Sequence, residues 1–332
     1  MLKVMANSLD SIADYRLSED EIPAPGPGEI LVKIGSCGVG YVDALVALGR
    51  YQVKPELPHT PGQEVAGTIA AVGGDVSRFA PGDRVMATVG GGFAEYGLAR
   101  NDAVEKIPDS LSFGQAAGFR VNYVTALHGL RDRAAIRPNE RLLVLGAAGG
   151  VGLAAVQVGR CLEAEVIAVA STPEKRKFAL DNGAHRAIDS SADGWRDRLK
   201  EACGGSGPDV VFDPVCGDLF EPAFRSLTWR GRHLVVGFVG GPIPALRANL
   251  PLMKGAALVG VDYRQFLLFE KKRAAEHLEQ LLAWVEQGRL VPPVGKRYPI
   301  DQFAEALEFA LSGKGLGKTV VAVGIQEGNT AT

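Results

Sequence analysis

Between residues 141 and 162 the chain reads RLLVLG, then Ala147-Ala148-Gly149-Gly150-Val151-Gly152, then an apolar stretch ending at Leu162. The first segment (141–146) has the length of a buried strand. The last is apolar on nearly every side, as a helix sandwiched against a sheet has to be. Glycines between such a strand and such a helix let the backbone turn sharply and approach a pyrophosphate closely. They also leave the N–H groups and partial positive charge of the helix N-terminus facing that anion. Ala147 stands where the strict GxGxxG pattern has its first glycine, so the turn alone is a weak sign of a dinucleotide site.

The segments that follow strengthen that sign. AEVIAVAS (164–171), HRAIDS (185–190), PDVVFD (208–213), RHLVVGF (232–238) and GAALVGV (255–261) are five further strand-like runs. Helical segments separate them, among them PEKRKFALDNG, with proline near its start and Gly183 at its end. This alternation predicts an α/β fold with a parallel, doubly wound Rossmann sheet. Residues 1 to about 118 read instead as short β segments and turns: GEILVKIGSCGV, QEVAGTIAAVG, DRVMATV and FAEYGLA, with Pro81-Gly82 suited to a type II turn. Near the C-terminus, one helical face carries Leu278, Leu281, Leu282 and Val285, and another carries Phe303, Leu307, Ala310 and Leu311. KTVVAV (318–323) is a closing strand able to return to the first domain, and the tail QEGNTAT is expected to fray.

Composition sets limits. A length of 332 residues suggests about two domains, or one large barrel. With 46% apolar and 22% charged residues, a disordered or collagenous chain is excluded, and a net charge of −2 gives no pull toward nucleic acid or an anionic membrane. No apolar run approaches the roughly 18 residues of a membrane span, and no export signal is visible, so a soluble, cytoplasmic protein is expected. Cys37, Cys161, Cys203 and Cys216 lie far apart without a CxxC, which predicts four buried thiols and neither a disulfide framework nor a zinc knot.

The end of the second Rossmann strand bears on cofactor choice. An NAD site usually has Asp or Glu about 20 residues beyond the glycines, accepting bonds from the ribose hydroxyls. Here the chain has Ala170-Ser171-Thr172, followed by Lys175, Arg176 and Lys177. The missing carboxylate and the added cations favour the 2′-phosphate of NADPH, with a solvated helix face as the plainer alternative.

GEILVKIGSCGVGYVDALVALGRYQ, LPHTPGQEVAGTIAAVG, FAPGDRVMA and LLVLGAAGGVGLAAVQ, in that order and spacing, resemble the medium-chain dehydrogenase/reductase superfamily. Within it they are similar to the zinc-free quinone oxidoreductase branch that includes zeta-crystallin. The resemblance implies a chaperonin-10-like (GroES-like) β domain from residues 1–118 and 262–332, a Rossmann domain from 119–261, an active site in the cleft, and a homodimer. It also implies that Ala148, Gly149, Gly150, Val151, Gly152, Ser171, Lys175, Arg176, Thr125 and Phe238 meet the cofactor. Lys318 either approaches the cofactor's phosphates or ribose or simply starts a strand. Toward substrate the resemblance implies Asp43 as an orienting group and Tyr51 as a hydrogen-bonding group, with Tyr41 using the room left by Gly40.

In zinc-dependent relatives the Gly40 position carries a cysteine ligand and the Gln63 position a histidine. Glycine has no ligand atom and a glutamine amide is a poor donor, so Glu64 alone cannot hold a catalytic metal and a metal-free protein is expected. Arg120 and Arg264 are unusual cations, either surface ion pairs or anchors for an anionic substrate. Arg120 is expected to have an internal carboxylate or a substrate anion as partner. The resemblance implies that His59 lies near the cleft rim, and a solvated loop histidine is its plainer reading. The leading expectation is an NADPH-dependent reductase of quinones or enones. An enoyl thioester or 2-haloacrylate reductase is the runner-up, and an NADPH-binding protein with little turnover is the third possibility.

Overall fold

The computed structural model describes residues 1–324. The chain runs β1 (Leu2–Met5), β2 (Arg16–Glu19), β3 (Glu29–Val39), α1 (Tyr41–Ala47), β4 (Glu64–Val72), β5 (Arg84–Thr88), β6 (Tyr96–Arg100), β7 (Val104–Lys106), α2 (Phe113–Ala116), α3 (Arg120–Leu127) and a π-helical turn (His128–Arg133). It continues through β8 (Arg141–Leu145), α4 (Gly150–Cys161), β9 (Glu165–Ala170), α5 (Pro173–Asp181), β10 (Arg186–Asp189), α6 (Trp195–Ala202), β11 (Val210–Asp213), α7 (Phe220–Ser226) and β12 (Arg232–Val235). The remainder is α8 (Asn249–Lys254), β13 (Ala257–Gly260), α9 (Tyr263–Phe269), α10 (Lys271–Glu286), β14 (Val294–Pro299), α11 (Phe303–Leu311) and β15 (Lys318–Ala322). These elements form two units. The first is residues 1–120 with the described residues from 292 on, and the second is Val121–Val291.

The second unit is the expected Rossmann sheet. Six parallel strands lie in the order β10-β9-β8-β11-β12-β13. The apolar runs buried on both faces drive it: Leu142, Leu143, Val144, Val210, Val211 and Phe212 have no solvent exposure. Thr172 caps α5 by accepting from the Lys175 N–H at 3.2 Å, Pro173 occupies its first turn, and Gly183 follows the helix at φ +112°. Because β9 and β11 flank β8 on opposite sides, the strand order reverses at β8, and the turn after it opens onto the crevice where such folds bind ligands.

In the first unit, eleven-residue β3 is the spine, pairing with β4, β6 and β15. Val32, Ile34, Cys37, Val65, Phe93 and Val321 are buried together in its core. The closing strand does return here: Thr319 to Ala322 pair antiparallel with Val39 to Ser36.

The seam near the C-terminus differs from the expected 261/262. Residues 262–291 belong to the Rossmann unit because α9 and α10 bury their apolar faces on it: Phe266 stacks on His128 with centroids 3.8 Å apart, and His277 bonds Asp132. The expected fraying segment QEGNTAT lies outside the described residues. All four cysteines are free, buried thiols. Among the described residues no helix is long and apolar enough to cross a membrane.

Candidate functional site

The glycine-rich turn leaves β8 at Gly146, whose φ of +60° is a left-handed conformation that suits glycine. Gly149 then serves as the N-cap of α4, with no side chain competing for the amides of the first turn. At Gly152 a Cβ would stand 2.2 Å from the Gly146 carbonyl oxygen, so only glycine lets helix and turn pack this closely. Ala147 and Ala148, within the turn, are buried, and Asn122 of α3 lies against Gly150. This cradle is open in backbone, rich in N–H donors and set at a helix N-terminus, and it fits a dinucleotide pyrophosphate. Thr125 is buried on α3, whereas Phe238, in the segment after β12, is 44% exposed.

At the end of β9, Ser171 is exposed and Lys175 sits in the first turn of α5, its pKa pushed down by partial burial. Arg176 has protein partners that its place in the sequence did not show. Its guanidinium folds back to donate to the Ala170 carbonyl at 3.1 Å and to the Asp189 carboxylate, so it already has a carboxylate partner.

The first unit holds a separate, largely buried polar cluster. Asp43, in the first turn of α1, accepts the Gly40 N–H at 2.8 Å. Lys318 passes Gly118 and places its Nζ 3.6 Å from Glu64 Oε2, with Cys37 and Asp43 nearby. Burial works against the Lys318 ammonium, but Glu64 and Asp43 outweigh it and hold its pKa above the usual lysine value. Burial raises Asp43, with Lys318 and the Gly40 N–H opposing in part, and it pushes the Cys37 thiol well up. Tyr41 and Tyr51 are half-buried at the start of α1 and just beyond its end.

Three side chains have protein partners that sequence reasoning did not assign. Arg120 donates to the Ala103 carbonyl at 2.8 Å, so a peptide oxygen stands where an internal carboxylate was one of its two expected partners. Lys318 starts β15, one of its two expected roles, and faces Glu64. His59 is bonded, not merely solvated: the Tyr15 hydroxyl donates to the Ala47 carbonyl at 3.0 Å and so accepts from His59 Nδ1 at 2.7 Å. Arg264 is exposed on α9.

Two polar groups of the Rossmann unit escaped sequence reading. Asp132 Oδ2 accepts from His128 Nδ1 at 2.9 Å and His277 Nε2 at 2.6 Å, while Oδ1 accepts from Arg273 at 3.1 Å. The three ligand-type atoms lie within 4.8 Å of one another, yet short contacts centred on one oxygen, with a cation on the other, are the geometry of a hydrogen-bonded clamp. The i, i+4 spacing of His128 and Asp132 was its one local signal. The second group is Asp213 with His233, both without solvent exposure and 3.0 Å apart.

Comparisons with known proteins agree with this architecture. A family model described as an alcohol dehydrogenase GroES-like domain matches residues 26–109, and one described as a zinc-binding dehydrogenase matches residues 150–286. The chain is 35% identical over 309 residues to a human protein named quinone oxidoreductase, covering 92% of each chain. It superposes on Escherichia coli quinone oxidoreductase, solved in complex with NADPH, with a TM-score of 0.88 at 26% identity, covering 97% of this chain and 100% of that one. The CurK enoyl reductase is similar at a TM-score of 0.87 and 26% identity, with 97% and 98% covered.

Proposed function

Because the chain belongs to the quinone oxidoreductase branch of the medium-chain dehydrogenase/reductase superfamily, we propose that it is a cytoplasmic, zinc-independent reductase using NADPH to reduce a quinone or another conjugated carbonyl. The observation that carries this reading is the Gly146–Gly152 cradle at the point where the strand order reverses. When bound, the cofactor supplies the hydride. The α4 N-terminus holds its pyrophosphate, and Thr125 and Phe238 flank its nicotinamide end. Ser171 and Lys175 meet the 2′-phosphate, with Arg176 held behind them by Asp189. Tyr51 bonds the substrate carbonyl, solvent or Tyr51 supplies the proton, and Asp43 and Tyr41 orient the acceptor. Positioning and hydrogen bonding to the developing oxyanion do most of the work.

Zinc independence is supported by Gly40 and Gln63, which offer no adequate ligand. Elemental analysis tests it, and one zinc per chain is the contrary result. An enoyl thioester or haloacrylate acceptor is the second reading, favoured by the exposed Arg264 and the likeness to an enoyl reductase. Homodimer formation is supported by β13, a sheet edge, with Leu258 exposed on it and Trp229, Leu252 and Met253 exposed in the same unit. Light scattering that returned a 35.0 kDa particle would contradict it.

NADPH oxidation measured with quinones, enones, enoyl thioesters and acrylates tests the function. Turnover of a quinone or enone supports the first reading, and turnover of thioesters or acrylates alone supports the second. Cofactor binding without turnover would leave a binding protein.

A further inference from the structure

The pair formed by Asp213 and His233 has no role in the reading above, yet it lies beside the cofactor cradle. Asp213 ends β11, and His233 stands on neighbouring β12, opposite Val211. His233 Nε2 donates to Asp213 Oδ2 at 3.0 Å. The other oxygen, Oδ1, accepts the N–H groups of Val215 at 2.9 Å and Cys216 at 2.7 Å. That carboxylate therefore holds the turn leaving the strand, including Cys216 at φ +48°, a left-handed conformation unusual for a side-chain-bearing residue.

Val215 links this turn to two parts of the cofactor region. A Cβ on Gly146 would meet Val215 Cγ2 at 2.9 Å, so this side chain walls the glycine-rich turn. Its carbonyl accepts the Gly240 N–H at 2.8 Å, tying down the segment that carries Phe238.

A fully buried carboxylate is costly, as is a buried imidazole packed on Phe220 and Phe224, and two apolar side chains would join adjacent strands as well. β11 and β12 already share a ladder from Val210–Arg232 to Asp213–Val235. What an apolar pair cannot do is accept two turn N–H groups. The benefit of the polar pair is thus confined to the turn that faces the cradle.

We propose that Asp213 and His233 are positioning residues for the nicotinamide cofactor, holding Val215 against Gly146 and, through Val215, placing Phe238. The proposal rests on the cofactor reading above.

The test is fluorescence titration of the full chain with NADPH, beside thermal melts with and without it. The variants are His233→Leu, His233→Gln, Asp213→Asn and Val215→Ala. His233→Leu and Asp213→Asn are expected to weaken NADPH binding about tenfold at temperatures where they remain folded, roughly what one net hydrogen bond contributes. The melting shift produced by NADPH should shrink in step. His233→Gln, which keeps a donor, should recover most of the affinity. Val215→Ala lies outside the buried pair, so it reports even if the others fail to fold, and it should weaken binding in the same direction. Wild-type affinity in folded His233→Leu or Asp213→Asn despite a lower melting temperature, or in Val215→Ala, would show the pair to be structural only and overturn the proposal. A wild-type chain that binds no nicotinamide dinucleotide would overturn the cofactor reading itself.

Discussion

Lys318 Nζ stands 3.6 Å from Glu64 Oε2, joining residues far apart in the chain within one largely buried cluster that also includes Asp43. Removing one partner of a buried pair is more damaging than the pair is stabilising, because the remaining charge keeps its desolvation penalty. Lys318→Met is therefore expected to cost about 3–5 kcal/mol in urea unfolding at neutral pH. Asp43 already has a raised folded pKa, so the folded state takes up its proton first, and the variant should regain stability as pH falls toward 5. A smaller loss, or no recovery in acid, would contradict this account.

Cofactor discrimination should divide between two adjacent cations. Lys175→Ala is expected to weaken NADPH binding about tenfold while leaving NADH within about twofold, because only the 2′-phosphate loses a charge-assisted contact. Arg176→Ala should affect both cofactors alike, since its guanidinium is engaged by Asp189 and the Ala170 carbonyl. Titrating both cofactors against each variant checks the split, and equal loss of both in Lys175→Ala would refute it.

Acid should loosen the Rossmann unit through His277. Burial outweighs the favourable Asp132 contact and holds its folded pKa below the usual 6.5. The unfolded chain therefore binds this proton more readily. The stability this histidine contributes is complete above about pH 6.5 and is lost as pH falls below it. His277→Gln cannot titrate, so its unfolding free energy should fall less between pH 7 and 5 than that of the parent. Parallel pH slopes would count against the clamp.

Arg120→Met should act on the protein rather than on one class of acceptor. Its donor role toward the Ala103 carbonyl predicts a loss of about 1–3 kcal/mol and a similar change in kcat/KM for neutral and anionic acceptors. A rise in KM confined to carboxylate-bearing or thioester acceptors would restore the substrate-anchor reading.

Gly152→Ala should disturb the cradle directly. The added carbon would press on the Gly146 carbonyl oxygen, forcing helix and turn apart at a cost of about 1–3 kcal/mol, and NADPH affinity should fall with it. An unchanged binding isotherm would show that the pyrophosphate seat lies elsewhere.

What could be read from sequence was what depends on local pattern. β8, β9 and β11 are short apolar runs between turn signals, and the Gly146–Gly152 turn sits between a strand and a helix, so fold and cradle follow from neighbours in the chain. The affiliation of α9 and α10 did not, because an amphipathic face such as that of Leu278 and Leu281 requires a partner without naming it. Arg176 shows the same limit: its cation was visible, but Asp189 reaches it only through the parallel register of β9 and β10. Asp213 with His233, and Lys318 with Glu64, are likewise products of strand register and not of spacing.

The pairing of β15 with β3 also governs the order in which the molecule can be made. Residues 29–39 are made before the Rossmann unit and their strand partner at 318–322 after all of it, a delay on the order of 15–55 s at usual translation rates. Val121–Val291 is one uninterrupted segment and can close its own sheet during that interval. The β-rich unit meanwhile waits with an open edge along Ser36–Val39. Nascent chains stalled before residue 318 therefore keep this edge unpaired and open to strand-mediated association.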